Sequence, residues 1–254
     1  MTFRKKHSPG FTLAELLVSM AIGSIVLLAA ATLLGGSGDS YERVGGSVAA
    51  EREARALITQ LGTDLGSANF HKDAVIELSF GQWPSDHFGF LSLQPSEAQP
   101  KDKHIGDLCA VNYYLKDLTI GGKSVRCLMR GFRESDDTFD ALETDQIAQL
   151  FTPQDGIDEP VAFGVVSFQA RPMVRGPGGV WASWTPSPDG LTAPEAVDVR
   201  LVIARRDLAG RLKTASDWDS VGSGGRLGDS ADADRNPDLE DYGALLRYGN
   251  HETL

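Results

Sequence analysis

Residues 10–35 read GFTLAELLVSMAIGSIVLLAAATLLG and decide how this chain is organised. The 25 residues from Phe11 to Gly35 carry one charged side chain, that of Glu15. As a helix rising about 1.5 Å per residue they would extend roughly 37 Å, enough to cross a bilayer core of about 30 Å. The stretch therefore predicts a membrane-spanning helix close to the N-terminus.

The ten residues before this stretch, MTFRKKHSPG, are polar and basic, which predicts that they stay cytoplasmic while the rest is exported. An ordinary signal peptide has an apolar region of about 7–15 residues and a cleavage site after it. Here the run is longer, and a small-residue site near 29–31 would lie inside it. A plain single-pass anchor leaves Glu15 unexplained, because an ionisable group inside a membrane helix is costly and usually functional.

The segment Gly10-Phe11-Thr12-Leu13-Ala14-Glu15 resembles the type IV prepilin cleavage and methylation motif. The resemblance implies that a membrane prepilin peptidase cuts between Gly10 and Phe11 and methylates the new amino group of Phe11. The apolar helix is then kept, and it anchors the protein in the inner membrane and packs it into a filament. The implied fold is α+β and pilin-like: a long N-terminal hydrophobic helix packed on antiparallel sheet.

Glu15 has a physical role in this interpretation. An unpaired carboxylate in lipid costs about 3 kcal/mol or more, and the Phe11 ammonium of a neighbouring subunit would neutralise it. We therefore expect Glu15 to favour the assembled filament over the lone subunit and to set its axial register. The alternative is that Glu15 serves only recognition by the peptidase.

The helical pattern continues beyond the apolar run. Glycines at 35–38 and 45–46 predict a helix that is bent or melted at both places. The apolar residues Ala54, Leu57, Ile58, Leu61 and Leu65 then form one stripe, which predicts a face that packs on a sheet. The polar residues, among them Asp64, are assigned to the opposite face, and the helix is expected to end near Gly66-Ser67.

After residue 70 the pattern indicates half-buried antiparallel strands separated by Gly- and Pro-containing turns, and one helix followed by strands predicts an α+β fold. The candidate strands are Ala74–Phe80, His87–Leu93, Leu108–Lys116, Ser124–Arg133, Ile147–Phe151, Val161–Met173, Val180–Trp184 and Ala196–Arg206. The predicted organisation is a leader at 1–10, a membrane helix at 11–35, its extension at 36–68, a β-rich head at 69–215 and an acidic tail at 216–254.

The two cysteines, Cys109 and Cys127, fall on consecutive candidate strands. A hairpin centred on residue 118 would place them opposite each other on one face and allow a disulfide. A turn at Gly121-Gly122, which is the better turn signal, would misalign them. The sequence leaves both arrangements open.

The acidic tail contains Asp232, Asp234, Asn236 and Asp238, which alternate like the first four ligands of a calcium loop. Pro237 stands where such a loop needs glycine, and Gly243 stands where it needs glutamate. We therefore favour a solvated, loosely packed tail over a calcium site, and we predict no other cofactor.

The net charge of −11 disfavours nucleic acid as a partner. The chain contains no phosphate-binding loop, HExxH zinc motif or nucleophile elbow, so we predict that it is not an enzyme.

The soluble region resembles the minor pseudopilin J family of type II secretion systems in patches. These are residues 55–65, 111–115, 127–131, 180–184 and 194–201. The resemblance implies a minor subunit near the tip of a periplasmic filament that pairs with other pseudopilins through their helices. A minor type IV pilin of an adhesion, motility or DNA-uptake pilus is one alternative. A membrane-anchored extracellular binding domain that uses the prepilin export route is the other.

Overall fold

The structure is a computed structural model of the chain. It describes residues 12–71, 74, 76–77, 87–94, 107–186, 192–221 and 238–249, and for 34–43 and 76–77 it describes the backbone alone. The leader, with Gly10 and Phe11, and the calcium candidates Asp232, Asp234 and Asn236 lie outside the described residues. The chain divides into two compact units, residues 1–45 and 46–254.

The first helix, α1, runs from Leu13 to Gly66 and contributes residues to both units. Its helical backbone continues through both glycine clusters, so the predicted melting at 35–38 and 45–46 is wrong. Glycine costs about 1 kcal/mol relative to alanine at a helix interior, but extending an existing helix is far easier than starting a new one. A few glycines between two strongly helical segments are therefore tolerated.

The C-terminal part of α1 packs on the sheets through the predicted apolar stripe. Ala54, Leu57, Leu61 and Leu65 are all buried, and Ile58 is partly buried at the edge of the same cluster. Ala50 extends the stripe by one turn towards the N-terminus. This face belongs to the main core of the head, which confirms the predicted orientation of the helix.

Within the described residues ten strands form two antiparallel sheets, which confirms the predicted α+β class. The first sheet has the order β1-β3-β4-β5-β6, with β2 paired to β3, and the second has the order β10-β9-β7-β8. The strands are β1 Ala68–Asn69, β2 Ile76–Glu77, β3 Phe88–Leu93, β4 Leu108–Ile120, β5 Lys123–Arg133, β6 Glu159–Phe163, β7 Val165–Arg175, β8 Trp181–Ser183, β9 Ala196–Ala204 and β10 Leu239–Arg247. The remaining helices are α2 Ser135–Glu143, α3 Ile147–Leu150, α4 Arg206–Arg211 and α5 Ala215–Val221.

Two strand predictions need correction. Residues 147–151 form the short helix α3 and its cap, because Ile147 and Leu150 are buried from one helical face rather than in a sheet. The predicted strand 161–173 is two strands, β6 and β7, which belong to different sheets. Gly164 separates them at a φ of 72°, a conformation that glycine adopts without strain.

The described parts of the predicted acidic tail, residues 216–221 and 238–249, pack on the head. The indole of Trp218 in α5 is fully buried and donates a hydrogen bond to the carbonyl of Ser124 at 2.9 Å. Arg126 joins Asp117 and Asp219, each at 2.8 Å, and so ties α5 to the β4–β5 hairpin. Asp219, one of the acidic residues that suggested a solvated tail, therefore helps to neutralise the buried Arg126.

Strand β10 closes the second sheet and meets the end of α1. It pairs with β9 along its whole length, from Leu239 to Arg247. Just beyond it, the N–H of Gly249 donates to the carbonyl of Leu65 at 2.8 Å, which satisfies one of the last carbonyls of the helix. A side chain at Gly249 would approach the carbonyl oxygen of Ala68 to 2.9 Å, so this contact requires glycine.

The β4–β5 register excludes the disulfide that the sequence left open. The turn falls at Gly121-Gly122, and Cys127 pairs with Lys116. Cys109 lies seven residues further along β4, which is about 23 Å at 3.3 Å per residue. That separation is far beyond the reach of a disulfide, and both side chains are buried as thiols.

We expect the Cys127 thiol to be unreactive in the native protein. Burial, reinforced by the charges of Glu53 and Asp117, raises its pKa to about 12, and the thiolate is the reactive form. Iodoacetamide at pH 8 followed by peptide mass mapping should find Cys127 unmodified before urea is added and alkylated afterwards. Rapid native alkylation would contradict the packing.

Candidate functional site

The first candidate site is the exposed apolar part of α1. Leu13–Leu33 is a stretch of 21 residues with a mean hydropathy of 2.4, long and apolar enough to cross a membrane. None of it is buried inside this chain. The large side chains that it exposes therefore need another apolar environment, either lipid or other helices.

The hydroxyl groups within this stretch are satisfied by the helix itself. Ser19 donates to the carbonyl of Glu15 at 2.7 Å, Ser24 donates to Met20 at 2.8 Å and Thr32 donates to Ala29 at 2.8 Å. Such internal hydrogen bonds allow hydroxyls to enter an apolar medium without an unpaired polar group. Within Leu13–Leu33, Glu15 is the residue whose side chain carries a charge.

Glu15 and Thr12 form a reciprocal cap at the start of α1. The backbone N–H and the hydroxyl of Thr12 each donate to Glu15 Oε2 at 3.2 Å, and the N–H of Glu15 donates to Thr12 Oγ1 at 3.2 Å. This is a capping box, the Thr-x-x-Glu arrangement that satisfies two of the unpaired N–H groups at a helix start. The Thr-x-x-Glu spacing is present in the sequence at 12–15, where it was not recognised as a helix start.

The cap gives the carboxylate of Glu15 a defined place. It holds Oε2 against the backbone of Thr12, directly after the predicted new N-terminus at Phe11. A negative group at this end of the helix is also favoured by the helix dipole. Glu15 is thus positioned before any neighbouring subunit arrives.

The second feature is a buried cluster that attaches α1 to the first sheet. Asp64 is fully buried, and Arg130 binds both of its oxygens, with Nε at 2.8 Å from Oδ2 and Nη2 at 3.0 Å from Oδ1. Tyr113 donates its hydroxyl to Oδ2 at 2.5 Å, and Gln94 donates to Oδ1 at 3.1 Å. The hydroxyl of Ser92 completes the cluster by donating to the carbonyl of Asp64 at 2.8 Å.

This cluster corrects the assignment of Asp64 to the solvent face of the helix. Arg130 on β5, Tyr113 on β4 and Gln94 just after β3 converge on one carboxylate, so its charge is compensated by donors. Burial, together with the charge of Asp64, raises the pKa of Tyr113 well above its ordinary value, which keeps the phenol a donor at any physiological pH. The cluster therefore fixes the axial position of α1 against the sheet.

A second buried pair joins β5 to the segment before β6. Arg133 Nη1 donates to Asp158 Oδ1 at 2.7 Å, and Tyr114 and the N–H of Gln154 each donate to Oδ2 at 2.8 Å. Burial alone would raise the pKa of Asp158, but these donors, Arg133 foremost, lower it below its ordinary value. The pair therefore contributes stability above pH 4 that is lost as the pH falls below about 4.

We expect Asp158→Asn to lower the free energy of unfolding by about 3 kcal/mol at pH 7, because it leaves Arg133 buried without its charge partner. The difference between variant and wild type should shrink towards pH 2, where the wild-type carboxylate is also protonated. Urea titrations at pH 7, 4 and 2.5 measure this. A difference that stays constant over that range would contradict the pKa direction.

The remaining candidate ligand, Asp238, is engaged elsewhere. Its Oδ1 accepts Arg205 Nη2 at 2.6 Å and its Oδ2 accepts Arg211 Nη2 at 2.8 Å. Both carboxylate oxygens of Asp238 therefore accept guanidinium N–H groups in the structure. In the part of the chain that the structure describes, no three or more His, Cys, Asp or Glu side chains are grouped to hold a metal ion.

Comparison with known proteins identifies the N-terminal segment. Residues 5–31 match the family described as the prokaryotic N-terminal methylation motif. No curated protein and no solved structure matches the chain significantly, so the patches that resemble pseudopilin J receive no support. The matched motif, on an apolar helix followed by antiparallel sheets, indicates a membrane-anchored precursor of the type IV pilin and pseudopilin type that is processed by a prepilin peptidase.

Proposed function

We propose that this chain is a minor pseudopilin of a type II secretion-like filament. It is cleaved after Gly10, methylated on Phe11 and acts in priming and capping the filament for protein export. The observation that carries the proposal is the methylation motif at 5–31, which overlaps the uncovered apolar helix Leu13–Leu33. A helix of this kind is kept after cleavage and is available to other subunits.

The packing of the head supports a mechanical role. The apolar stripe and the Asp64 cluster hold the C-terminal part of α1 against both sheets, so this segment and the head form one packed body. A subunit that is moved through its helix needs such an attachment. A head that comprises residues 46–254 is large for a filament's repeating subunit and suits a minor one placed at the tip, with the head outside the cytoplasm.

The mature N-terminus tests the first part of the proposal. Mass spectrometry of the purified protein should find a chain that begins at Phe11 and carries one additional methyl group. Gly10→Val should leave the leader attached, because the peptidase is expected to accept no side chain there. Gly23→Val is the matched control: it lies in the same apolar run, and a side chain there meets no atom within 4 Å. A mature chain that begins at Met1 or after residue 35 would overturn the proposal.

Recovery with partners tests the second part. The mature protein, extracted in mild detergent, should co-purify with other proteins that carry the same N-terminal motif. Secretion should fall when the gene is deleted. A surface pilus lost in the deletion strain, with secretion intact, would favour the adhesion or DNA-uptake alternative. If the head still binds its ligand when every partner that carries the motif has been deleted, an anchored binding domain would be favoured.

A further inference from the structure

Among the described residues, one face of the second sheet is left exposed at the end formed by β8. Directly opposed residues of paired strands share a face, so Arg247, Ala196, Met173 and Ser183 form a row across all four strands. The opposite face of the sheet packs on α1, where Leu246 lies against Gly62. Helices α4 and α5 cover the outer face near Val202 and Trp218, away from this row.

A cleft of about 480 Å³ lies on this open end. Ala196, whose side chain is small and buried, lies between the taller side chains of the neighbouring strands. Arg247 on β10 and Arg175 on β7 lie on either side of Ala196. They are two strand spacings, or about 10 Å, apart across the sheet, and Arg175 is two residues further along its strand than Met173, which lies opposite Ala196. The residues that line the cleft are Arg175, Trp181, Glu195, Ala196, Leu245, Arg247 and Gly249.

The charges of these two arginines are only partly offset: Glu195, which also lines the cleft, accepts a hydrogen bond from the backbone N–H of Arg175 through Oε1 at 3.2 Å. Arg171 and Arg200, on the same face, have polar partners in Gln169 and Asp198. Arg175 instead stacks on the ring of Trp181 at 5.0 Å, and within the described part of the chain neither it nor Arg247 forms an ion pair. In a protein of net charge −11, two guanidinium groups and one carboxylate in the same cleft leave a local excess of positive charge, and the cleft is a localised positive site.

Apolar side chains flank the positive site. Trp181 lies on one side, and Leu245, which is 46% exposed, lies on the other. Exposed aromatic and aliphatic groups beside arginine are typical of protein-recognition sites, whereas a site for a small inorganic anion needs no such apolar flanks.

We propose that this cleft binds an acidic segment of a partner protein. A carboxylate lies between Arg175 and Arg247, and the apolar side chains next to it in the segment lie on Trp181 and Leu245. Guanidinium groups bind carboxylates with two parallel hydrogen bonds, which gives both affinity and orientation. The proposal does not depend on the type of filament and goes beyond the proposed function.

A pair of fluorescein-labelled peptides tests the site on the full mature chain in nanodiscs of neutral lipid. The acidic probe is Leu-Asp-Phe-Glu-Leu-amide with fluorescein on its N-terminal amine, and its control, labelled in the same way, replaces both acids by their amides. Fluorescence anisotropy should show binding of the acidic probe and at least about tenfold weaker binding of the control, with affinity falling as salt increases. Both probes are measured on the wild-type protein, so this result does not depend on whether a variant folds.

Variants then locate the site. Arg175→Gln and Arg247→Gln should each weaken binding of the acidic probe by about tenfold or more, and Arg200→Gln, on the same face, should change it less than about twofold. Circular dichroism confirms that each variant is folded. Equal binding of both probes, no binding, or binding unaffected at Arg175 and Arg247 would overturn the proposal. So would binding seen only after residues 250–254 are deleted, or Arg-dependent binding to phosphatidylglycerol vesicles in place of the peptide.

Discussion

Asp64→Ala should lower the free energy of unfolding by about 3–5 kcal/mol, the largest effect of any single change considered for this chain. The variant leaves the guanidinium of Arg130 in a largely buried position without its carboxylate, and it removes the acceptor of Tyr113 and Gln94. A urea titration of the mature chain in detergent, followed by tryptophan fluorescence, measures the loss.

Glu51→Ala is the matched control, because it removes a salt bridge from the same helix. The Glu51–Arg55 pair is exposed and four residues apart, so its loss should cost less than about 0.5 kcal/mol. The double variant Asp64→Leu, Arg130→Met should be less destabilised than Asp64→Ala alone, because it leaves no buried charge. Equal urea midpoints for Asp64→Ala and Glu51→Ala would show that the cluster does not fix the helix.

Glu15→Leu should leave cleavage intact and reduce recovery of the protein in filaments by at least about tenfold. A carboxylate in lipid costs about 3 kcal/mol, and its pairing with a neighbour's Phe11 ammonium would recover part of that free energy only in the assembly. The mature protein and the sheared filament fraction are quantified by immunoblot. Undiminished recovery of the Leu variant would contradict the pairing hypothesis.

The capping box allows the charge of Glu15 to be separated from its hydrogen bonds. Glu15→Gln keeps an oxygen that can accept from the N–H of Thr12, whereas Thr12→Ala keeps the charge and removes the hydroxyl. If recruitment depends on charge, the Gln variant should fail like the Leu variant and Thr12→Ala should assemble. The reverse pattern would assign the role of Glu15 to the shape of the helix start.

The elements that sequence predicted well are those with a long periodic signal. The largely apolar run of 25 residues after Gly10 and the stripe from Ala54 to Leu65 each extend over several helical turns, so a single polar residue does not hide the pattern. The two strands on either side of Gly121-Gly122 were found for a similar reason, since the turn and the alternation agree. The methylation motif is recognised from adjacent residues alone.

The elements that sequence missed depend on partners far away in the chain. Asp64 appears solvent-exposed until Arg130 and Tyr113 are brought to it by the fold. Strand β10, LEDYGALLR, contains two acids and a glycine, and its identity as a strand comes from pairing with β9. The cleft at Arg175 and Arg247 exists only because β9 places Ala196 between them.

The hydrogen bond from Gly249 to Leu65 has a consequence for the order of events during biogenesis. If the N-terminus stays in the cytoplasm and the rest of the chain is exported in sequence order, the C-terminal part of α1 crosses the membrane before β10 does. Until β10 is in place, the side chains of Tyr242 and Leu246 do not cover the helix, and the part of α1 that they contact faces water. The packing of α1 into the head is therefore completed only after β10 has crossed the membrane and paired with β9.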